Sequence, residues 1–236
     1  MRTPAGWPKG PEAEGQRRRG QLPYTDQVSS GAFALVFLLV VPGQSVPASI
    51  ASRPAPSRPG LSWDDADALA VAFDQVERRF KTGKAPRKEP LVVSEGQVNS
   101  YLNLTLGPKI PPGVTDLVVQ LNGQGLVVRA KVDLDRVPLK RSTDGAFGLL
   151  SLVTGVVPVE LSGRLKSQEG QGTIELTEAR LSGISVPVAL VAQIVSTSTR
   201  APTLPQGFDI NAPFRLPYGM KRVRFELGKA VLDFLQ

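Results

Sequence analysis

Apolar residues recur at helical spacing in the segment that follows residue 61. They fall at i, i+3, i+4, i+7 and i+11 of an otherwise charged stretch, at Leu69, Ala72, Phe73, Val76 and Phe80. Ser62 stands before this stripe and is a suitable N-cap, and Gly83 stands after it. The pattern predicts one amphipathic helix between these two residues.

A second, shorter helix is predicted to begin at Ser94. Gln97 lies three residues later, so the two side chains can form a capping box. We expect Val98, Tyr101 and Leu102 to face inward, towards the protein core.

The remaining sequence alternates in the manner of strands, and three hairpins can be registered by keeping the apolar residues on one face. The loop at 122–125 pairs Leu121 with Leu126, Val119 with Val128 and Leu117 with Ala130, and it sets Asp116 against Lys131. The loop at 168–171 pairs Leu165 with Ile174 and Gly163 with Leu176, and it sets Arg164 against Glu175. A turn at Gly228-Lys229 pairs Phe225 with Leu232 and Val223 with Phe234, and it sets Arg224 against Asp233. These registers predict antiparallel pairing with one solvated face.

Two long stretches, 145–159 and 181–199, contain no charged residue. The second predicts a helix from about Pro187, with apolar side chains on more than one face, which is typical of a helix buried all round. Either both stretches fill the core, or they line a cavity or a rim that contacts a membrane. The candidate ligand-lining residues are Phe147, Leu149, Leu150, Leu152, Val153, Leu190, Val191, Ile194 and Val195.

The predicted fold class is α+β. We expect a curved antiparallel sheet built of hairpins, an N-terminal helical pair, and a long apolar helix packed on the concave face of the sheet. One domain is predicted over 62–236, preceded by a Pro-rich linker at 52–61.

The first 51 residues resemble an export signal. A basic run at Arg17, Arg18 and Arg19 precedes the eleven-residue apolar core 31–41, and small residues follow near Ala48 and Ala51. Eleven residues are fewer than the roughly 20 that span a bilayer, so we expect cleavage and an exported product. An uncleaved anchor facing the outside is the alternative.

Composition excludes several chemistries, because the 236 residues include no His and no Cys. A Ser-His-Asp triad, a catalytic thiol, a disulfide and a His or Cys metal site are all impossible. The chain therefore offers no catalytic residue set, no metal site and no cofactor motif that we can name.

The remaining candidates for chemistry are carboxylates and basic clusters. Asp133 and Asp135 form a D-x-D of the kind a carboxylate-dependent hydrolase would need, but strand alternation places them on the solvated face. The net charge is +7, yet the basic clusters lack interleaved aromatic residues, which argues against a nucleic-acid partner. Arg136, Lys140 and Arg141 precede the uncharged stretch at 145–159, an order that suits a phosphate head group beside an acyl chain.

Three short motifs resemble those of exported bacterial envelope proteins. The run 93–102 (VSEGQVNSYL) is similar to the helix that follows the membrane segment in YpmS-like proteins. The runs 183–187 (GISVP) and 213–223 (PFRLPYGMKRV) resemble YpmS-like and LmeA-like segments respectively. The resemblance implies a lipid-related function and a curved sheet around a long helix, as in tubular lipid-binding domains.

The sequence therefore predicts an exported, non-enzymatic protein that binds a lipid or another amphiphile of the cell envelope. A lipid or membrane surface is the expected partner, and a homodimer is left open. The alternatives are an envelope scaffolding module that binds another protein, and a carboxylate-dependent hydrolase.

Overall fold

The structure, a computed structural model, describes residues 58–110, 113–136, 154–198 and 205–235. Within these ranges three α-helices lie at Trp63–Lys81 (α1), Glu95–Ser100 (α2) and Val188–Ser198 (α3). The strands are β1 (Leu91–Ser94), β2 (Val114–Asn122), β3 (Gly125–Asp133), β4 (Val156–Gln168), β5 (Gln171–Leu181), β6 (Ile184–Ser185), β7 (Phe214–Arg215), β8 (Met220–Glu226) and β9 (Lys229–Phe234). All pairings are antiparallel, which confirms the predicted α+β class with antiparallel sheets. The predicted export signal lies outside the described residues.

The N-terminal helical pair forms as predicted. Ser62 caps α1 by accepting a hydrogen bond from the Asp65 N–H, and α1 ends at a Thr82 cap, just before Gly83. Ser94 and Gln97 form the expected capping box at the start of α2, with both reciprocal hydrogen bonds present. The chain then continues into a π-helical turn at Tyr101–Thr105 and a 3-10 turn at Gly107–Lys109.

Five strands form the larger sheet in the order β2-β3-β4-β5-β6, and β7 also pairs with β5. The predicted pairs Leu121–Leu126, Val119–Val128, Leu165–Ile174 and Gly163–Leu176 are confirmed, and Arg164 lies opposite Glu175. The predicted Leu117–Ala130 pair is wrong, because a bulge between Thr115 and Val118 interrupts the ladder. Asp116 lies in this bulge with a φ of 53°, and its Oδ2 still meets the Lys131 Nζ at 2.8 Å.

The smaller sheet has the order β1-β9-β8, and its hairpin register differs from the predicted one by two residues. Phe225 pairs with Ala230 and Val223 with Leu232, so the turn is Leu227-Gly228 and not Gly228-Lys229. Gly228 has a φ of 71°, which makes it the left-handed second residue of the turn. Because side chains alternate with a period of two, the shift keeps the same residues on the buried face.

The core collects buried side chains from the three helices and both sheets, among them Leu69, Val98, Val191, Leu161 and Leu232. Helix α3 has only eleven residues, so no long apolar helix is seen among the described residues. The expectation that it is buried all round is also wrong. Ala189 and Gln193 lie one turn apart on its exposed side, whereas Leu190, Val191 and Val195 are buried. A curved sheet with this helix on a concave face stays a prediction.

Candidate functional site

The two uncharged stretches meet in the larger sheet. Val159 ends the first stretch and Leu181 begins the second, and these two residues are direct partners in the β4–β5 ladder. Leu181 in turn pairs with Ile184 of β6, and Val159 pairs with Ala130 of β3. Cross-strand partners share one face, so Ala130, Val159, Leu181 and Ile184 form a continuous apolar row across four strands.

This row lies near one end of the larger sheet, where β3 finishes, β4 begins and β5 turns into β6. We call this end, residues 132–136, 154–157 and 181–185, the β3–β4 end. The Leu134 N–H donates to the Gly155 carbonyl at 3.0 Å, and the Gly155 N–H donates to Asp135 Oδ2 at 3.0 Å. These bonds join the residues just after β3 to the residue just before β4, on either side of residues 137–153 in the sequence. The described part of the first uncharged stretch, residues 154–159, therefore begins here.

Two large apolar side chains are exposed at the β3–β4 end. Val156 is 61% exposed and Ile184 is 72% exposed. Ile184 shares the face of the apolar row, whereas Val156 pairs with Asp133 and lies on the opposite face. One large apolar side chain is therefore exposed on each face at this end, beside the charged side chains of Asp135 and Arg136.

The N-terminal part of the described chain reaches the same region. The Arg58 guanidinium donates to Asn103 Oδ1 and to the Leu117 carbonyl, and it lies 3.8 Å from Asp116 Oδ1. Asp116 is bonded to Lys131, which stands two residues before Asp133 on β3. The predicted Pro-rich linker therefore leads to this part of the sheet.

The outer face of the sheet carries a cleft of about 360 Å³ beside this end. Charged side chains line it on three strands and at the β2 bulge: Asp116, Arg129, Lys131, Glu160 and Arg180. Pro158, Gly183 and the residues Ala130 and Val159 complete the lining. The hydrogen bond and charge of Lys131 lower the pKa of Asp116, and the hydrogen bond and charge of Glu178 raise the pKa of Arg180. Both shifts favour the charged forms, the carboxylate of Asp116 and the guanidinium of Arg180.

The predicted ligand-lining residues divide into three groups. Leu190, Val191 and Val195 are buried, and Val191 and Val195 belong to the main hydrophobic core. Ile194 is half-buried on the same helix. The predicted residues Phe147, Leu149, Leu150, Leu152 and Val153 lie outside the described residues. Val191 and Val195 of α3 therefore belong to the core. This agrees with the interpretation that the uncharged stretches fill the core, rather than line a cavity or a membrane-contacting rim.

The predicted basic residues are only partly described. Arg136 is exposed at the β3–β4 end, and its Nε lies 3.2 Å from Asp133 Oδ2. Lys140 and Arg141 lie outside the described residues. The structure instead places Arg129 and Lys131 of β3 with Arg180 of β5 around the cleft. The sequence pattern did not indicate this group, because Arg180 is far along the chain from the other two residues.

Asp133 and Asp135 have structural contacts of their own. Asp133 Oδ1 accepts a hydrogen bond from the Asp135 N–H at 3.1 Å, and Asp135 Oδ2 accepts one from Gly155. Asp135 is exposed and lies in the turn after β3, whereas the Asp133 side chain is 23% exposed. The prediction that both lie on the open strand face is therefore only partly right.

Residues of the 93–102 motif hold the free edge of β2. Glu95 Oε2 accepts a hydrogen bond from the Leu121 N–H at 2.7 Å. Asn99 accepts from the Val119 N–H at 2.7 Å and donates to the Val119 carbonyl at 2.8 Å. Asn103, just after the motif, donates to the Leu117 carbonyl at 2.9 Å. The polar positions of this motif therefore have a structural function in this chain.

Sequence reasoning missed the exposed residues Val156 and Ile184. Val156 carried a usable signal, because strand alternation sets it on the face opposite Val157 and Val159. Ile184 carried none, since its exposure depends on β6 being only two residues long.

No family model, no curated protein and no solved structure matches this chain. The resemblance to YpmS-like and LmeA-like proteins therefore stays a prediction. In the described part of the chain, no helix combines the length and apolar character needed to cross a bilayer. The described residues also contain no group of three or more acidic side chains arranged to hold a metal ion.

Proposed function

We propose that this chain is an exported, non-enzymatic protein that binds a lipid or another amphiphile of the cell envelope through the β3–β4 end. The observation that carries the proposal is the pairing of Val159 with Leu181. It brings the described parts of both uncharged stretches, residues 154–159 and 181–198, to one end of the sheet, beside the exposed side chains of Val156 and Ile184.

Physical chemistry favours an apolar partner at this end. Each Å² of apolar surface removed from water contributes about 25 cal/mol of favourable free energy. Covering an exposed valine or isoleucine side chain with a bilayer or an acyl chain is therefore favourable. Arg58 and Arg136 lie nearby, and basic residues beside an apolar surface favour an anionic membrane. The carboxylates of Asp133 and Asp135 bond to backbone groups, which supports a structural and not a hydrolytic role for them.

Vesicle flotation of the purified protein tests the proposal. The vesicles contain phosphatidylethanolamine and phosphatidylglycerol, and the variants are Val156→Ser and Ile184→Ser. Leu227→Ser is the matched control, because Leu227 is 84% exposed but lies on the β8–β9 turn. The Gly228 N–H beside it donates to the Leu121 carbonyl, near the β2–β3 turn. The β2–β3 turn lies about 27 Å along β3 from Asp133, so Leu227 is far from the β3–β4 end.

We expect wild type and Leu227→Ser to float with the vesicles, and each β3–β4 variant to lose most of its bound fraction. Equal loss in all three variants, or no flotation of the wild type, would contradict the proposal. A second candidate function, envelope scaffolding, is favoured by the same exposed pair of side chains. Light scattering distinguishes it, since a stable oligomer that Ile184→Ser dissociates, without vesicle binding, indicates a protein partner.

A further inference from the structure

The cleft on the outer face has walls built by two irregularities of the sheet. On one side, the β2 bulge holds Asp116 at a φ of 53°, and on the other the β5–β6 turn holds Ser182 at 50° and Gly183 at 81°. Asp116 and Gly183 both line the cleft. Left-handed backbone at a non-glycine residue is unfavourable and is often found at functional sites.

Pro158 explains why there is open volume between these walls. On this face of the sheet, Arg129, Glu160 and Arg180 form one continuous row across β3, β4 and β5. In the next row, Lys131 pairs with Pro158, and the Ser182 N–H donates to the Pro158 carbonyl. The side chains of Pro158 and Ser182 are short, whereas those of the neighbouring row are long and charged. Open space therefore remains above Pro158.

The charges around this space alternate in sign. Arg129 Nε meets Glu160 Oε2 at 2.5 Å, Lys131 Nζ meets Asp116 Oδ2 at 2.8 Å, and Arg180 Nε meets Glu178 Oε1 at 2.7 Å. A bare anion would face a carboxylate beside every cation. A ligand that carries both a negative and a positive group would find a partner for each. On β4, Glu160 lies two residues from Pro158, about 6.8 Å along the strand, a distance that a phosphate and an amine joined by two carbons can span when each contacts its partner.

We propose that this cleft binds a zwitterionic head group with a phosphate and a primary amine, the chemistry of phosphoethanolamine. The phosphate lies over Pro158 between Lys131 and Arg180, and the amine lies against Glu160. A guanidinium has five N–H donors, and the contact with Glu178 occupies the Nε donor of Arg180. This inference rests on the proposed function and names the part of the lipid that is recognised.

The position of the cleft relative to the β3–β4 end agrees with a lipid ligand. Val156 lies two residues before Pro158 on β4, so both side chains point to the same face of the sheet. An acyl chain attached to a head group in the cleft therefore passes over the exposed side chain of Val156 towards the β3–β4 end. The charged cleft and the exposed Val156 side chain are therefore continuous on one face of the sheet, and Ile184 lies on the other face.

Isothermal titration calorimetry with soluble probes tests the cleft separately from the membrane. The probes are glycerophosphoethanolamine, inorganic phosphate and ethanolamine, and the protein is the full chain. We expect glycerophosphoethanolamine to bind more tightly than either of the other two. Phosphate binding as tightly as glycerophosphoethanolamine would overturn the zwitterion assignment, and no binding of any probe would overturn the site.

Arg180→Gln and Glu160→Gln should each weaken glycerophosphoethanolamine binding by about tenfold or more, because each removes a charged hydrogen-bond partner. Arg224→Gln is the matched control, since Arg224 makes a similar surface pair with Asp233 on the smaller sheet, at 3.3 Å. Equal binding by all variants at unchanged melting temperature contradicts the proposal.

Flotation distinguishes a membrane lipid from a free head group. If the ligand is a lipid, Arg180→Gln also weakens flotation with phosphatidylethanolamine vesicles. If glycerophosphoethanolamine binds but flotation is unaffected by Arg180→Gln, the ligand is the free head group and the lipid assignment is wrong. Flotation that succeeds while no soluble probe binds would contradict the cleft but not the proposed function.

Discussion

Ser167 joins the two sheets by bonding both ways to one backbone unit, that of Val223. The Ser167 hydroxyl donates to the Val223 carbonyl at 2.8 Å and accepts from the Val223 N–H at 2.8 Å. Ser167 belongs to β4 of the larger sheet and Val223 to β8 of the smaller one. A single side chain therefore satisfies two polar groups where the sheets meet.

Ser167→Ala should lower the free energy of unfolding by about 1–3 kcal/mol, because both backbone groups of Val223 lose a partner at a partly buried site. Ser162→Ala, on the same strand and also half-buried, is the control and should change stability by less. Urea unfolding of both variants checks this. Similar small losses in the two variants would show that the link between the sheets contributes little.

Gly125 begins β3 where a larger residue cannot fit. A Cβ at this position would overlap the carbonyl oxygen of Gly163 on the neighbouring strand. Gly125→Ala should therefore reduce stability by about 1–3 kcal/mol, as overpacking in an interior does. Gly123→Ala is the control, because a Cβ there meets no atom within 4 Å. The measurement is thermal melting, and equal shifts in the melting temperature of the two variants would contradict the overlap.

Helix α3 allows a direct test of core against ligand surface. Leu190→Trp and Val191→Trp should each destabilise the protein by about 1–3 kcal/mol, because both side chains are buried. Ile194→Trp should be milder, since Ile194 is half-buried, and Gln193→Trp on the exposed side should be nearly neutral. The measurements are thermal melting and lipid co-purification. Full stability of the first two variants, together with loss of a bound lipid, would show a ligand cavity at the helix.

The Asp116–Lys131 pair predicts how one part of the protein responds to acid. The hydrogen bond from Lys131 and its positive charge hold the pKa of Asp116 below its ordinary value. A depressed carboxyl pKa stabilises the fold above the unfolded pKa, near pH 4, and that contribution is lost as the pH falls through the folded pKa. Lys131→Gln should therefore raise the pKa of Asp116 towards its ordinary value, which NMR titration of the carboxyl group measures. An unchanged pKa would show that Lys131 is not the cause.

Asp133→Asn combined with Asp135→Asn tests the hydrolase alternative. An asparagine can still accept the backbone hydrogen bonds with its amide oxygen, and the ion pair of Asp133 with Arg136 is lost. We expect a change in stability of less than about 1 kcal/mol and vesicle binding that is retained or stronger, because two negative charges are removed near an anionic membrane. Loss of function in a variant that melts like the wild type would revive a carboxylate-dependent activity.

Local chemistry made several elements of the fold predictable. The caps at Ser62 and Ser94 depend on side chains within three residues, and two hairpin registers follow from alternation across short loops. The third register could not be fixed, because Leu227-Gly228 and Gly228-Lys229 both place a glycine in a two-residue turn. A shift of two residues leaves the apolar face unchanged, so the pattern cannot distinguish them.

The cleft could not be predicted for a different reason. Its cations come from β3 and β5, and their meeting depends on how β4 lies between those strands. The bulge at Asp116 also interrupts a pattern that alternation alone would continue. Long-range strand order and backbone irregularity are not visible in local spacing.

The hydrogen bonds from residues 95–103 to the edge of β2 also fix the length of that segment. Three contacts form along β2: Glu95 with Leu121, Asn99 with Val119, and Asn103 with Leu117. From one contact to the next, the first residue lies four positions later in the chain and its partner on β2 lies two positions earlier. Four helical residues rise about 6.0 Å and two strand residues about 6.8 Å, so the two repeats match over only a few rungs. Four residues also rotate a helix about 40° beyond one turn, and the wider π-helical turn at Tyr101–Thr105 offsets that drift. A single inserted residue between Glu95 and Asn103 would break this phase and leave the strand edge open to pairing with another chain.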